Sequence, residues 1–408
     1  MLNRAKLFIF ISLSLSLFFI ILSFYPEHWI NFFGSLSVPP QIPAFSDLEA
    51  HSKFLKCKEM GLSLYDSCPE ITLGSRYNTH PSLWVEIFKI LNLNNIYNLK
   101  ILVFFLLTFY FISLFHVSES ILNYKDKIIF LLATLSTSNL LLIERLATDC
   151  IIFLILFTLI LNIKYFYKYF LFYFSIILKI YPIFILLFFS DNRKHFFIAL
   201  IICFLGLFFL KDDILNMDKN LVEFARVFGY GSRSISRGIY LFLNRYNYSI
   251  IENYNILKNS IILFFLFIVL ITFLIGFFNK NVKKFNFQDS FYLNKCKLFM
   301  LGSSVYIFTF VFGSNADYRL IFLFLTLPYT LNYYQNKNKI IFLFCLFVSL
   351  NSLFFEKGYE YSLTYYMNVF FVYFCKLILL TYLSFSYGYI IKNYIFLKKN
   401  LFNNNVQK

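Results

Sequence analysis

Apolar runs close to the length of a bilayer crossing recur from one end of this 408-residue chain to the other. They lie near 7–24, 99–118, 128–143, 149–163, 196–210, 259–277, 296–312, 319–334, 339–355 and 366–386. A hydrocarbon core about 30 Å thick is crossed by about 20 residues of helix. Hydrocarbon offers the backbone no hydrogen-bond partner, so each run must satisfy itself as a helix. The chain is 59% hydrophobic and 14% charged, with 59 Phe. No soluble domain of this size has an interior that hides so much apolar surface. The fold expected is all-α and polytopic, a transmembrane helical protein.

The net charge of +16 does not point to nucleic acid. Most Lys and Arg sit in short loops and at the C-terminal end, where they orient helices. The first run, LFIFISLSLSLFFIILSF, is long for a signal-peptide core and has no small-residue cleavage site behind it, so it reads as a retained helix. The seven Cys form no C-x-x-C pair. Cys150, Cys203, Cys345 and Cys375 fall in apolar runs as packing residues. Cys57 and Cys68 share one loop and can pair there if it faces an oxidising compartment.

Residues 165–190 read either as one crossing or as a hairpin of two short helices broken at Lys179-Ile180-Tyr181-Pro182. Proline strains a continuous helix, and lysine is costly at mid-depth. With the N-terminus in the cytoplasm, the hairpin keeps Lys125, Lys127, Lys164, Lys168, Arg193, Lys194, Lys280, Lys283, Lys284, Lys337 and Lys339 inside, along with the basic tail at 391–408. The charge bias therefore favours the hairpin and about twelve crossings. Residues 1–390 then form one membrane domain. Loop 25–98, the segment Glu144 to Asp149, Lys179, loop 211–258 and Asp317 to Arg319 all fall on its extracytoplasmic face.

Several charged stretches on that face are candidates for chemistry. In VPPQIPAFSDLEAH, three prolines lead stiffly to Asp47 and Glu49 at an expected helix start, capped by Ser46 or Asp47. Asp47 is either such a cap or a working carboxylate. Arg76, Tyr77, His80 and Trp84 follow in the same loop. Aromatics with polar tips suit sugar faces or the headgroup boundary, and a lone His is most often structural. In SNLLLIERLATDCIIF, Glu144, Arg145 and Asp149 interrupt apolar sequence. Arg145 and Asp149 are four apart, which would place them on one helical face as an ion pair. The segment is a plain loop, or Arg145 meets a phosphate while an acid orients it.

Lys179 and Tyr181 are a second phosphate-contact candidate, or Lys179 snorkels to the interface. Asp317, Tyr318 and Arg319 behave similarly. Residues two apart do not face each other, so Asp317 and Arg319 should have different partners. Loop 211–258 carries Arg226, Arg233, Arg237 and Arg245. Its GYGSRSISRG has the character of an anion-binding loop but no P-loop pattern, and ISRGIYLFL suits a short interfacial helix. No acid and histidine spacing matches a zinc site.

Taken in order, these motifs resemble the GT-C superfamily of polytopic glycosyltransferases. The layout is most similar to glycosyltransferase family 87, whose members use polyprenyl-phosphate sugars. That family has an acid in its first outer loop, matched by Asp47 in AFSDLEAH. It has a Glu-Arg-Gly-Asn-x-Asp segment, matched at Glu144, Arg145 and Asp149 in ERLATD, with Leu146 and Ala147 replacing the Gly and Asn. A Lys-x-Tyr/Phe-Pro hairpin is matched by Lys179, Tyr181 and Pro182, and DYRLIF is similar to a late segment of such proteins. The resemblance implies an inverting transferase that moves a sugar, mannose or another hexose, from a polyprenyl-phosphate donor to an extracytoplasmic glycan or glycolipid. Asp47 would be the general base, with Arg145, Lys179 and Arg319 on the donor phosphate. Glu49, Arg76, Tyr77, His80, Glu144, Asp149, Tyr181, Asp317, Tyr318 and Arg233 would support or bind substrate. No cofactor is required, although some relatives use a divalent cation near the acids. Two rival classes share the layout: a secondary transporter or lipid flippase, and a non-catalytic polymer-assembly protein.

Overall fold

A computed structural model describes residues 2–65, 68–70, 80–190, 192–219, 229–245, 254–279, 290–313, 315–356 and 363–406. Arg76, Tyr77 and Arg226 lie outside the described residues. The helices begin with α1 (Leu2–Leu22), α2 (Pro26–Ser35), α3 (Ser46–Glu59), α4 (Leu83–Ile90), α5 (Ile96–Glu119) and α6 (Tyr124–Thr134). Next come α7 (Thr137–Arg145), α8 (Asp149–Thr158), α9 (Tyr165–Leu178), α10 (Arg193–Phe209), α11 (Lys211–Lys219) and α12 (Ser232–Arg245). The last five are α13 (Tyr254–Phe278), α14 (Ser290–Phe312), α15 (Leu327–Tyr333), α16 (Asn336–Leu350) and α17 (Leu363–Val406). Two-residue strands β1 (Gly229–Tyr230) and β2 (Asn315–Ala316) pair antiparallel, Gly229 opposite Ala316 and Tyr230 opposite Asn315.

Among the described residues five helices are long and apolar enough to cross a membrane, within α1, α5, α13, α14 and α17; α6 and α7 make a sixth if that bent pair is one span. The expected count of about twelve crossings is not reached by this measure, because several apolar runs are broken. Run 149–163 holds only the ten residues of α8. Run 319–334 is a 3-10 stretch, Asp317–Thr326, followed by seven-residue α15. The hard segment 165–190 is interrupted where expected: α9 ends at Leu178, Lys179 is extended, and a 3-10 helix runs over Tyr181–Phe189. α17 continues through the basic tail to Val406.

The outward faces are apolar. Phe204, Phe208, Phe267 and Phe370 are all more than half exposed. A water-facing surface does not carry contiguous Phe and Leu on this scale, whereas hydrocarbon accepts it. The chain is an all-α membrane protein.

The chain divides into two compact units. The first comprises Met1–Glu119, Asn139–Ile183 and Phe197–Val222. Within it α1 lies along α5, Phe8 stacking on Phe115 at 4.8 Å. The Tyr110 hydroxyl donates to Asn139 Oδ1 at 2.5 Å. A disulfide joins Cys57, near the end of α3, to Cys68. Asp213 on α11 accepts hydrogen bonds from the Tyr65 hydroxyl and from the backbone and hydroxyl of Ser82.

The second unit comprises Ser120–Ser138, Phe184–Phe196 and Glu223–Lys408. Its spine is α13 against α17. A side chain at Gly276 would collide with the Phe385 carbonyl, and one at Gly388 with that of Phe273. The two backbones approach closely because these positions carry no Cβ, as at small-residue crossings in lipid.

Candidate functional site

The first unit gathers most of the charged motifs around α3. Its N-cap is Phe45, in the left-handed region at φ 62°. No side chain caps the helix, so neither Ser46 nor Asp47 plays the expected role. The start is held instead by a segment about a hundred residues on. Phe45 N–H donates to the Glu144 carbonyl at 3.0 Å, and Gln41 N–H donates to Glu144 Oε1 at 2.6 Å. Ser46 Oγ is spent on Gln41 Oε1. Asp47 therefore begins a helix whose first turn is fixed by backbone bonds. It is half-buried and lies within electrostatic range of Glu144. Asp47 and Glu49 both sit in the first turn, where the helix dipole favours anions. Glu49 turns to Lys53, 3.6 Å away and one turn on. Burial raises the Glu49 carboxyl above its ordinary range, with Lys53 opposing.

The ERLATD segment forms a corner. α7 ends at Arg145, Leu146 takes a left-handed backbone at φ 42°, and Asp149 opens α8. This overturns the expected Arg145–Asp149 pair. The four-residue spacing gives a shared face only on a continuous helix, and a left-handed residue is a helix terminator. Arg145 Nε lies 2.6 Å from Glu144 Oε2, and its Nη2 donates to the Pro39 carbonyl at 3.1 Å. Asp149, fully buried, takes a different cation: Lys179 Nζ donates to Oδ2 at 2.5 Å, and the Tyr181 hydroxyl donates to Oδ1 at 2.7 Å. The chain break after α9 is what turns both residues onto Asp149. Lys179 is 6% exposed, so its ammonium is held by an acid within the fold.

His51 was not singled out in the sequence, yet it stands at the centre of this unit. It is four residues after Asp47 and so shares that face of α3. Its ring stacks on Trp84 at 5.3 Å, meets His80 edge-on at 4.8 Å and touches Phe88 at 5.4 Å. Trp84 gives its indole N–H to the Leu178 carbonyl at 2.9 Å, beside Lys179. Burial, and secondarily the Lys179 ammonium, push the His51 imidazole down to about 3. The unfolded chain takes up this proton near pH 6.5 and the native chain does not. The His51 contribution to stability is therefore complete above about 6.5 and falls by about 1.4 kcal/mol per pH unit below it, until about 3. Glu49, whose carboxyl burial raises, works in the opposite sense at the acid end of this window, so the His51 part is read as the difference in thermal midpoint between wild type and His51→Phe in detergent. That difference should move against wild type from about pH 7 to about pH 5, and identical slopes in the two proteins would reject the assignment.

The second unit holds Asp317, Tyr318, Arg319 and Arg233. Asp317 is fully buried and pairs with Lys376 of α17, Nζ lying 2.8 and 3.0 Å from its two oxygens. Ser352 also donates to Asp317, and Lys376 donates to the Gly229 carbonyl at 3.0 Å. Arg319 donates to the Asn315 side chain, so Asp317 and Arg319 have different partners. Tyr318 and Arg319 are half-buried. Arg233, also half-buried, lies in α12, entered through Gly231 at φ 109°. α12 exposes Ile239, Leu241 and Phe242, as an interfacial helix would. Lys376 was missed in the sequence, although a lysine within the apolar run VYFCKLILL is itself a signal. Among the described residues no group of three or more His, Cys, Asp or Glu could hold a metal ion. No family model matches the chain, and no curated protein or solved structure matches it either.

Proposed function

We propose that the chain is an inverting membrane glycosyltransferase of the GT-C type, using a polyprenyl-phosphate-linked sugar and acting on a glycan or glycolipid acceptor outside the cytoplasm. The observation that carries this reading is the tie between α3 and the Glu144–Arg145 corner, which brings the first-turn acid Asp47 near a second motif that resembles family 87. Leu146 is a departure from that family's residue but not from a backbone it could use. It stands where that family has glycine, and its left-handed backbone is the conformation glycine adopts without cost. The Cys57–Cys68 disulfide supports an oxidising, extracytoplasmic setting for the loop that carries Asp47.

The Asp47 carboxylate draws the proton from the acceptor hydroxyl. The freed oxygen attacks the anomeric carbon opposite the phosphate, and the carbon–oxygen bond to phosphate breaks with inversion. Arg145 serves the departing phosphate, Glu144 fixing its guanidinium. Asp149, Lys179 and Tyr181 form the buried frame beneath it.

The test is transfer in vesicles from labelled polyprenyl-phosphate hexoses. Wild type should pass label to an acceptor with inverted anomeric configuration. The buried Asp317–Lys376 pair is the feature that favours the transporter reading. Movement of a lipid-linked sugar across the vesicle membrane, with no new glycosidic bond from any donor, would replace the transferase by that reading.

A further inference from the structure

Both ring nitrogens of His51 are buried without a hydrogen-bond partner, and the residue is 1% exposed. Unpaired buried polar atoms cost stability and are rare in native interiors. The groups around this ring do not supply the missing bonds. On its own helix Asp47 stands one turn away. Trp84 faces the ring flat and has given its N–H to Leu178. Phe88 is apolar. His80 meets the ring edge-on, and Lys179 is bound to Asp149. Trp84, Phe88 and Lys179 are buried, whereas His80 is half-buried.

A neutral imidazole offers one donor and one acceptor. A phosphodiester anion offers only acceptors and would leave the bare nitrogen of a neutral imidazole unpaired. Hydroxyl groups accept and donate, so a polyol satisfies both atoms. We propose that His51 is a sugar-contacting residue, its N–H donating to one hydroxyl and its bare nitrogen accepting from another. The inference rests on the sugar-transfer reading of the same unit. The hydroxyls belong to the lipid-linked donor sugar or to the acceptor.

Trp84 reports on this directly. The chain has two Trp, so Trp29→Phe leaves Trp84 as the only indole. Its emission is titrated with methyl hexosides and, separately, with a short-chain polyprenyl-phosphate hexose. A saturable change is expected, weakened at least about tenfold in His51→Phe and largely kept in His51→Gln, which retains a donor and an acceptor. A deoxy hexoside missing the contacted hydroxyl should bind His51→Phe no worse than its parent does. A response to methyl hexosides assigns the acceptor sugar, and one confined to the lipid-linked probe assigns the donor. The Phe ring refills the space against Trp84 and Phe88, so the variant keeps its fold. Equal affinity in wild type and His51→Phe, or no Trp84 response to any probe, overturns the proposal and leaves water as the partner. Hexoside binding through His51 without vesicle transfer would keep this proposal and remove the transferase reading. Wild-type transfer by His51→Phe would do the opposite.

Discussion

Lys376→Met is expected to destabilise the protein by about 3–5 kcal/mol, the usual cost of leaving one member of a buried ion pair without its partner. Lys376 and Asp317 are each fully buried. Lys376 links Asp317 on the 3-10 stretch to the Gly229 carbonyl of β1 from its own place on α17, and Ser352 adds a fourth segment through Asp317. Removing the ammonium strands a fully buried carboxylate near Tyr306. The measurement is the thermal midpoint and the monodisperse fraction in detergent. Asp317→Leu combined with Lys376→Met should recover most of the loss, because the double change leaves no orphaned charge. A single variant as stable as wild type would mean that the pair is not formed.

Asp47→Asn is expected to lower sugar transfer by about 100- to 10,000-fold, the range for loss of a general base, while the protein stays folded. The fold should survive because α3 starts from backbone bonds at Phe45 and Gln41 to Glu144. Asn also keeps the size of Asp and remains tolerable in a first turn. The loss should appear in kcat more than in KM, since Asp47 acts on the proton that leaves in the transition state. Normal turnover in the purified, folded variant would remove Asp47 from the role of base.

Much of the architecture was legible in the residues. Apolar runs of bilayer-crossing length marked the helices of α1, α5, α13, α14 and α17, and Pro182 close to Lys179 marked the break after α9. Apolar runs say less about how far a helix continues. Run 319–334 reads as a span, yet its first part is 3-10 and buried on all sides. A segment hydrophobic all round is as suitable for a protein interior as for lipid, and only packing decides between them.

Charge partners were the least legible. Arg145 and Asp149 have the spacing of a pair, but Leu146 ends the helix between them and each finds another partner. Asp317 finds Lys376, 59 residues along the chain. His51 carried one available clue, its four-residue spacing from Asp47, but its two unpaired nitrogens depend on which rings close around it.

The sequence by itself determined that this chain lives in lipid, that it does so with helices, and where its charges interrupt them. Those properties follow from local transfer energies and backbone satisfaction, which a short window of residues already contains. Only the tertiary structure decided which acid holds which base and which histidine is enclosed without a partner. Such pairings require segments far apart in the chain to meet at ångström distances, and no local periodicity encodes that meeting.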